Sequence, residues 1–139
     1  SSLLTNWSCV RVADGPQPNM HIFLICLGAS LGALSRFYLS NLFPRSEPQE
    51  IPLGILVVNI LGCFFIGLLY NLMNTDLERI FTPLLFIGFL GAFTTFSAFT
   101  RESLELINSG HFMYACVYVV LTVFSCLIAT WLGMFLTRG

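Results

Sequence analysis

The chain has 139 residues, of which 56% are hydrophobic and 9% charged, and its formal net charge is −1. This composition is too apolar and too poor in charge for an ordinary soluble domain of this size, so we predict a protein embedded in a lipid bilayer. The chain has no lysine and no basic run, so it lacks the positive surface of a nucleic-acid-binding protein, and no nucleic-acid partner is expected.

Four apolar segments follow one another, at residues 21–43, 51–72, 80–107 and 112–136. Each is about as long as a helix that crosses the hydrocarbon core, which takes roughly 20 residues. The predicted fold is an all-α membrane protein with four transmembrane helices, over residues 20–139. Residues 1–19 lack a long apolar run and are interpreted as an N-terminal extension or an expression remnant.

In the first segment, Gly28 and Gly32 lie four residues apart, a spacing that favours close helix contacts. Such a face is more often used for packing than for lining a pore. Arg36 follows these glycines, and Glu102 lies late in the third segment. Charged residues at membrane depth suggest function, but both are close enough to an interface to extend toward water. We therefore expect vestibule or structural roles for them.

Asn59 lies near the middle of the second segment. Its amide offers two donors and an acceptor at a depth where an unpaired polar group is costly. The side chain must therefore face another helix or water. Two interpretations stay open, an interhelical hydrogen bond that serves structure and a polar lining of a pathway.

The third segment combines glycines, hydroxyls and phenylalanines at residues 88–99. Glycine loosens a helix, and Thr94, Thr95 and Ser97 add polar atoms at membrane depth. This pattern predicts a broken membrane helix, with the break at Gly91–Thr94, that lines a site.

Phe96 and Phe99 are three residues apart and share a helical face. The edge of a phenyl ring carries the positive part of its quadrupole, so these edges suit a small anion, whereas packing is the ordinary use of such a pair.

Four residues of the fourth segment recur at every fourth position and so lie along one face: Tyr118, Thr122, Cys126 and Thr130. Three of them carry hydroxyl groups, which makes a polar lane one interpretation. Bonds from these hydroxyls to carbonyls of their own helix are the alternative.

The cysteines give no sign of a metal site or a disulfide framework. They show no Cys-x-x-Cys spacing and no histidine at ligand spacing, and they lie at Cys9, Cys26, Cys63, Cys116 and Cys126. Four of them lie in apolar segments, where a free cysteine behaves as a small apolar side chain.

The arginines are balanced across the predicted layout. Three lie on one side, at Arg11, Arg79 and Arg138, and three at or toward the other, at Arg36, Arg45 and Arg101. Arginine and lysine normally mark the cytoplasmic side, so this balance permits insertion in both orientations and predicts an antiparallel homodimer. The alternative is that Arg36 and Arg101 lie within helices and do not count, which leaves a weak bias.

Three stretches together carry a family resemblance: residues 28–37, the run of residues 54–62 that contains Asn59, and residues 88–102 with the order Thr-Thr-Phe-Ser-Ala-Phe. In these residues the chain resembles the Fluc (CrcB-like) fluoride channels over about residues 20–138. The resemblance implies a dual-topology antiparallel homodimer with two pores that exports fluoride passively. It also implies a multi-pass protein of the plasma membrane, if the source is bacterial.

The resemblance also implies site residues. The fluoride pore would be lined by Asn59, Phe96, Phe99, Ser97, Thr95, Tyr118, Thr122 and Cys126. A structural sodium ion at the dimer interface would be held by the backbone carbonyls of Gly91 and Thr94 from both subunits. Several residues depart from the family pattern, namely Ile55, Ala92, Phe37, Thr122 and Cys126.

Other functional classes fit less well. A small four-helix proton-coupled multidrug exporter needs a carboxylate deep in the membrane, but the first two segments contain none, and Glu102 and Glu105 come late in the third. A scaffold would explain the glycines but not the polar set. His21 and His111 have no nucleophile arranged around them, so an enzyme is not expected.

Overall fold

The structure is a computed structural model that describes residues 18–45, 47, 50–70 and 78–138. Residues 1–17 of the interpreted extension, with Cys9 and Arg11, lie outside the described residues, as does the side chain of Arg79. The described residues form helices and turns, without a strand. The helices are α1 (Pro18–Asn41), α2 (Leu53–Tyr70), α3 (Glu78–Phe81), a π-helical segment (Thr82–Leu90), α4 (Gly91–Phe93), α5 (Phe96–Asn108) and α6 (Phe112–Leu136).

Four spans among the described residues are long and apolar enough to cross a membrane: α1, α2, Thr82–Asn108 and α6. The four predicted segments are thus confirmed to within a few residues. The first helix begins at Pro18, three residues before the predicted segment. Proline suits a first helical position, because its missing N–H group has no partner to lose there.

The third span is not one continuous α-helix. Its first half is π-helical, and the Gly91 N–H group reaches back to the carbonyl of Phe86, five residues earlier. Pro83 lacks an N–H group, which disturbs regular α-helical bonding at the start of this segment. After α4, Thr94 and Thr95 are extended, with ψ of 153° and φ of −150°, before α5 begins. A break is therefore present, and it begins at Thr94, whereas Gly91 keeps helical dihedral angles.

The spans pack as two pairs. The first helix lies along the π-helical segment and α4, and α2 lies along α6. Glycine allows backbone contact within both pairs. A Cβ atom on Gly88 would lie 2.7 Å from the carbonyl oxygen of Ile25, and one on Gly67 would overlap the carbonyl oxygen of Thr130. The prediction that the Gly28 and Gly32 face serves close packing is confirmed, since both glycines are buried against the π-helical segment.

The interior of the protomer is narrow and partly polar. Its largest fully buried side chains include Tyr118, Leu90, Leu106 and Val58, and its buried polar side chains are Asn59, Thr95, Glu102, Ser103 and Thr122. Many large apolar side chains instead face outward, such as Phe124 and Trp131 of α6. A surface of this kind requires lipid or another protein chain to cover it.

The glycine contact between α2 and α6 gives a stability prediction. We expect Gly67→Ala to destabilise the folded protein by about 1–3 kcal/mol, because the new methyl group must push two backbones apart. Gly91→Ala is the matched control, since its Cβ atom would lie 3.6 Å from the nearest atom, the carbonyl oxygen of Phe86. Both substitutions gain the same helix propensity. Unfolding in detergent would measure the difference, and equal stability of the two variants would contradict the packing argument.

Candidate functional site at the helix break

Asn59 of α2 bonds the peptide backbone at the break in the third span. Its Nδ2 atom donates to the carbonyl oxygen of Thr95 at 3.2 Å, and the Thr95 N–H group donates to Asn59 Oδ1 at 2.9 Å. The pair is buried, and Asn59 is 8% exposed. Asn59 therefore forms a structural hydrogen bond to the third span, which was the first of the two interpretations. One Nδ2 hydrogen remains to donate to something else.

The same break redirects two backbone donors. In a continuous helix, the N–H groups of Thr95 and Ala98 would donate to the carbonyls of Gly91 and Thr94, four residues earlier. Here the Thr95 N–H group bonds Asn59, and the Ala98 N–H group donates to Thr95 Oγ1 at 3.2 Å. The carbonyls of Gly91 and Thr94 thus lose their helical donors. Gly91 lies exposed and Thr94 half-buried on the protomer, so these oxygens are near the surface of the single chain.

Two hydroxyl groups mark the start of α5. Thr95 caps this helix, and its Oγ1 atom lies 3.2 Å from Ser97 Oγ. An open cleft of about 430 Å³ runs against both residues and is also lined by Arg36 and Arg101. The cleft therefore brings cationic groups beside the hydroxyls at the break.

The arginines around this cleft differ in whether they form an ion pair. Glu105 forms ion pairs with Arg45 at 3.5 Å and with Arg101 at 3.4 Å. Arg36 has no ion pair among the residues that the structure describes. Glu102 lines a neighbouring cleft of about 250 Å³ together with Arg45 and Arg101. Arg36 and Glu102 thus line neighbouring open clefts, which is compatible with the predicted vestibule or structural roles, and a positive charge such as that of Arg36 attracts anions.

Phe96 and Phe99 are in contact but differ in environment. Their ring centroids are 5.5 Å apart with an interplanar angle of 45°. Phe99 is 6% exposed and packs against Tyr118 with centroids 5.4 Å apart, whereas Phe96 is 75% exposed. Only Phe99 is enclosed within the protomer, and Phe96 lies on its outer surface.

The polar residues of α6 separate into three cases. Tyr118 donates to Glu102 Oε2 at 2.8 Å. Thr130 reaches the carbonyl of Cys126 on its own helix at 3.0 Å and that of Cys63 on α2 at 3.1 Å. Thr122 Oγ1 is buried and has no hydrogen-bond partner among the described residues. The alternative of bonding to the same helix thus holds for Thr130 but not for Tyr118 or Thr122.

Some of the predicted site residues lie together. Asn59, Thr95 and Ser97 are linked at the break, and Phe99 of α5 packs against Tyr118 of α6. Thr122 and Cys126 follow Tyr118 by one and two turns along α6. The sequence analysis did not identify Arg101 as a cleft residue or Tyr118 as the partner of Glu102. Arg101 is the neighbour of the predicted Glu102, and Tyr118 was itself predicted as a pore residue, but their contacts arise from helix packing, which spacing does not encode.

We expect Asn59→Leu to destabilise the protein by about 1–3 kcal/mol, because it leaves the buried N–H group of Thr95 without a partner. The Thr95 carbonyl loses its bond from Asn59 but, as the N-cap of α5, still accepts the first bond of that helix. Ser97→Ala is the control, since it removes an exposed hydroxyl while Thr95 Oγ1 keeps its bond from Ala98. Unfolding in detergent would measure both. Similar stability of the two variants would show that Asn59 does not maintain the break.

The comparisons with known proteins all indicate the same family. A family model described as CrcB-like protein, Camphor Resistance (CrcB), matches residues 23–134. Three relatives are each named fluoride-specific ion channel FluC. The protein of Campylobacter jejuni is 40% identical over 118 residues, which cover 84% of this chain and 97% of the relative. That of Coxiella burnetii is 38% identical over 122 residues, covering 86% and 98%. That of Pseudoalteromonas translucida is 40% identical over 113 residues, covering 80% and 94%. The resemblance seen in the motifs is confirmed, and the chain belongs to the CrcB-like family.

Proposed function

We propose that this integral, multi-pass membrane protein is a fluoride-selective channel that lets fluoride leave the cell down its gradient. The names of its relatives support this function, and so does the chemistry of the site. The observation that carries it within this chain is Thr122, a buried hydroxyl without a partner among the described residues. A buried donor of this kind is costly unless it serves a ligand.

In the proposed pore the remaining donors would form a row that suits a small, hard anion. The free Nδ2 hydrogen of Asn59, the hydroxyl of Thr122 and the positive edge of the Phe99 ring would replace part of the water that fluoride sheds. Arg36 at the cleft would raise the local concentration of anions. Chloride is larger and accepts weaker hydrogen bonds, so a fixed row of donors would favour fluoride.

Glu102 argues for passive rather than proton-coupled transport. Among the described residues, Glu102 is the acidic residue whose side chain is buried. It lies beside the cleft and accepts a hydrogen bond from the Tyr118 hydroxyl, and it is not part of the proposed row of neutral donors. Coupled exchange requires a carboxylate that alternates between protons and substrate. The proposed row contains only neutral donors and ring edges.

We further propose that the functional unit is an antiparallel dimer inserted in both orientations. The balanced arginines support this arrangement. The exposure of Phe96 supports it as well, because a second copy would enclose a ring that the single chain leaves open. Each pore would then be completed at the contact between the two protomers.

A sodium ion at the dimer interface is part of this proposal. The carbonyls of Gly91 and Thr94 fit such an ion, since they are neutral oxygen donors whose helical partners bond elsewhere. Hard cations take oxygen ligands of this kind. The ion, when bound, would supply a fixed positive charge near the proposed pores and would link the two breaks.

Purified protein in liposomes loaded with fluoride provides the main test. We expect rapid fluoride efflux that a proton gradient does not drive, and little chloride efflux in the matched experiment. Absence of fluoride efflux from a correctly folded protein would reject the channel.

Thr122→Val refines this test in the same assay. It should lower fluoride efflux about tenfold, as expected when one hydrogen bond to a charged ion is lost, while stability stays the same or rises. Thr100→Val is the matched control, because the Thr100 hydroxyl bonds the carbonyl of Ser97 on its own helix. Equal efflux from both variants would remove Thr122 from the pathway.

Removal of sodium tests the proposed interface. We expect dimers in detergent to dissociate when sodium is exchanged for choline, because the carbonyl oxygens of two facing breaks would then repel each other without a cation. Native mass spectrometry would report the oligomeric state. Dimers that persist after sodium has been fully removed would reject the structural role of the ion.

A further inference from the structure

Two cysteine side chains face each other between α2 and α6. Cys63 and Cys126 are half-buried free thiols, and their side chains are close enough to interact with each other. Residue spacing does not predict this pair, because the two residues are far apart in the chain. Neither thiol takes part in the proposed sodium site.

The backbone around the pair is held by one hydroxyl group. Thr130 Oγ1 lies 3.1 Å from the carbonyl oxygen of Cys63 and 3.0 Å from that of Cys126. One oxygen reaches both carbonyls only when the two helices are close. One turn further along, a Cβ atom on Gly67 would overlap the carbonyl oxygen of Thr130, so the backbones are nearly in contact. A disulfide requires Cα atoms within about 7 Å, so a bond between these two thiols is a direct measure of how closely the helices approach.

The pair lies at the end of the polar row. Cys63 follows Asn59 by four residues along α2, and Cys126 follows Thr122 by four residues along α6, so each thiol lies one turn from a proposed donor. A covalent change at the thiols would therefore alter the groups next to the ion pathway.

We propose that Cys63 and Cys126 form a dithiol modification site that reacts with small, neutral organic disulfides and closes into a covalent link between α2 and α6. Closure fixes α2 to α6 one turn from Asn59 and Thr122 and changes the side chains beside these proposed donors, so fluoride conduction falls. The effect on conduction rests on the proposed function, whereas the formation of the link does not.

The reaction is a pair of thiol–disulfide exchanges. One protein thiol attacks a sulfur of the reagent, a mixed disulfide forms, and the released half of the reagent carries away the thiol proton. The second protein thiol then attacks the protein sulfur of that mixed disulfide. The bond between Cys63 and Cys126 forms, and the second half of the reagent leaves with the second proton. The two thiols are oxidised by two electrons, and the reagent is reduced.

The probe is 4,4′-dithiodipyridine, which is neutral and enters membranes. The folded protein carries Cys9→Ser, Cys26→Ser and Cys116→Ser, so that only the pair remains. We expect release of two pyridinethiones per chain, with loss of two hydrogens and no pyridyl group retained in the intact mass. Adding Cys63→Ser should give one pyridinethione and one retained pyridyl group.

Two retained pyridyl groups in the two-cysteine variant would overturn the proposal, as would the absence of any reaction. Peptide mapping of the wild-type chain after the same treatment makes the result independent of the substitutions, since the linked peptides must contain Cys63 and Cys126.

Fluoride efflux from liposomes tests the second half of the proposal. We expect closure to lower efflux about tenfold and dithiothreitol to restore it, because the covalent link changes the groups beside the proposed donors Asn59 and Thr122. Unchanged efflux after verified closure overturns the claim about conduction. If the untreated protein conducts no fluoride, the proposed function fails, and the mass measurement still decides whether the dithiol site exists.

Discussion

The double hydrogen bond between Asn59 and the backbone of Thr95 is the interaction on which the rest of the structure depends. Within a bilayer, a break in a helix leaves backbone groups without water, and each unpaired group costs several kcal/mol. One amide side chain of α2 serves both groups of Thr95. The break can therefore persist within the bilayer. The cap on α5, the carbonyls without helical donors and the hydroxyl pair at the cleft all depend on this break.

The glycine contacts and the polar groups have complementary roles. Backbone contact at glycines fixes each helix pair rigidly, α1 with the π-helical segment and α2 with α6. Asn59 and Tyr118 form their hydrogen bonds where the two pairs meet. Donors held on rigid helices keep their separation when an ion arrives, which selectivity by fixed contacts requires. A flexible bundle could rearrange around a larger anion and lose that discrimination.

Much of the fold was predictable from the sequence because span length and apolar composition are local properties. The break was also predictable, since hydroxyls within an apolar segment require an unusual backbone. The partner of Thr95 was not, because Asn59 lies 36 residues earlier in the chain and the pairing depends on how helices pack. For the same reason the spacing of Phe96 and Phe99 indicated a shared face but not their different exposure, 75% and 6%. Whether Thr122 or Thr130 finds a partner is likewise decided by the neighbouring helix.

The order of Asn59 and Thr95 along the chain has a consequence for biosynthesis. Chains emerge from the N-terminus, so α2 is made before the third span. When Thr94 and Thr95 enter the membrane, the amide that pairs with their backbone is already there. The broken helix therefore need not insert into lipid with unpaired groups. With the opposite order, the backbone groups at the break would be exposed to lipid until their partner was synthesised. In the actual order, α6 follows the third span and covers a break whose hydrogen bonds have already formed.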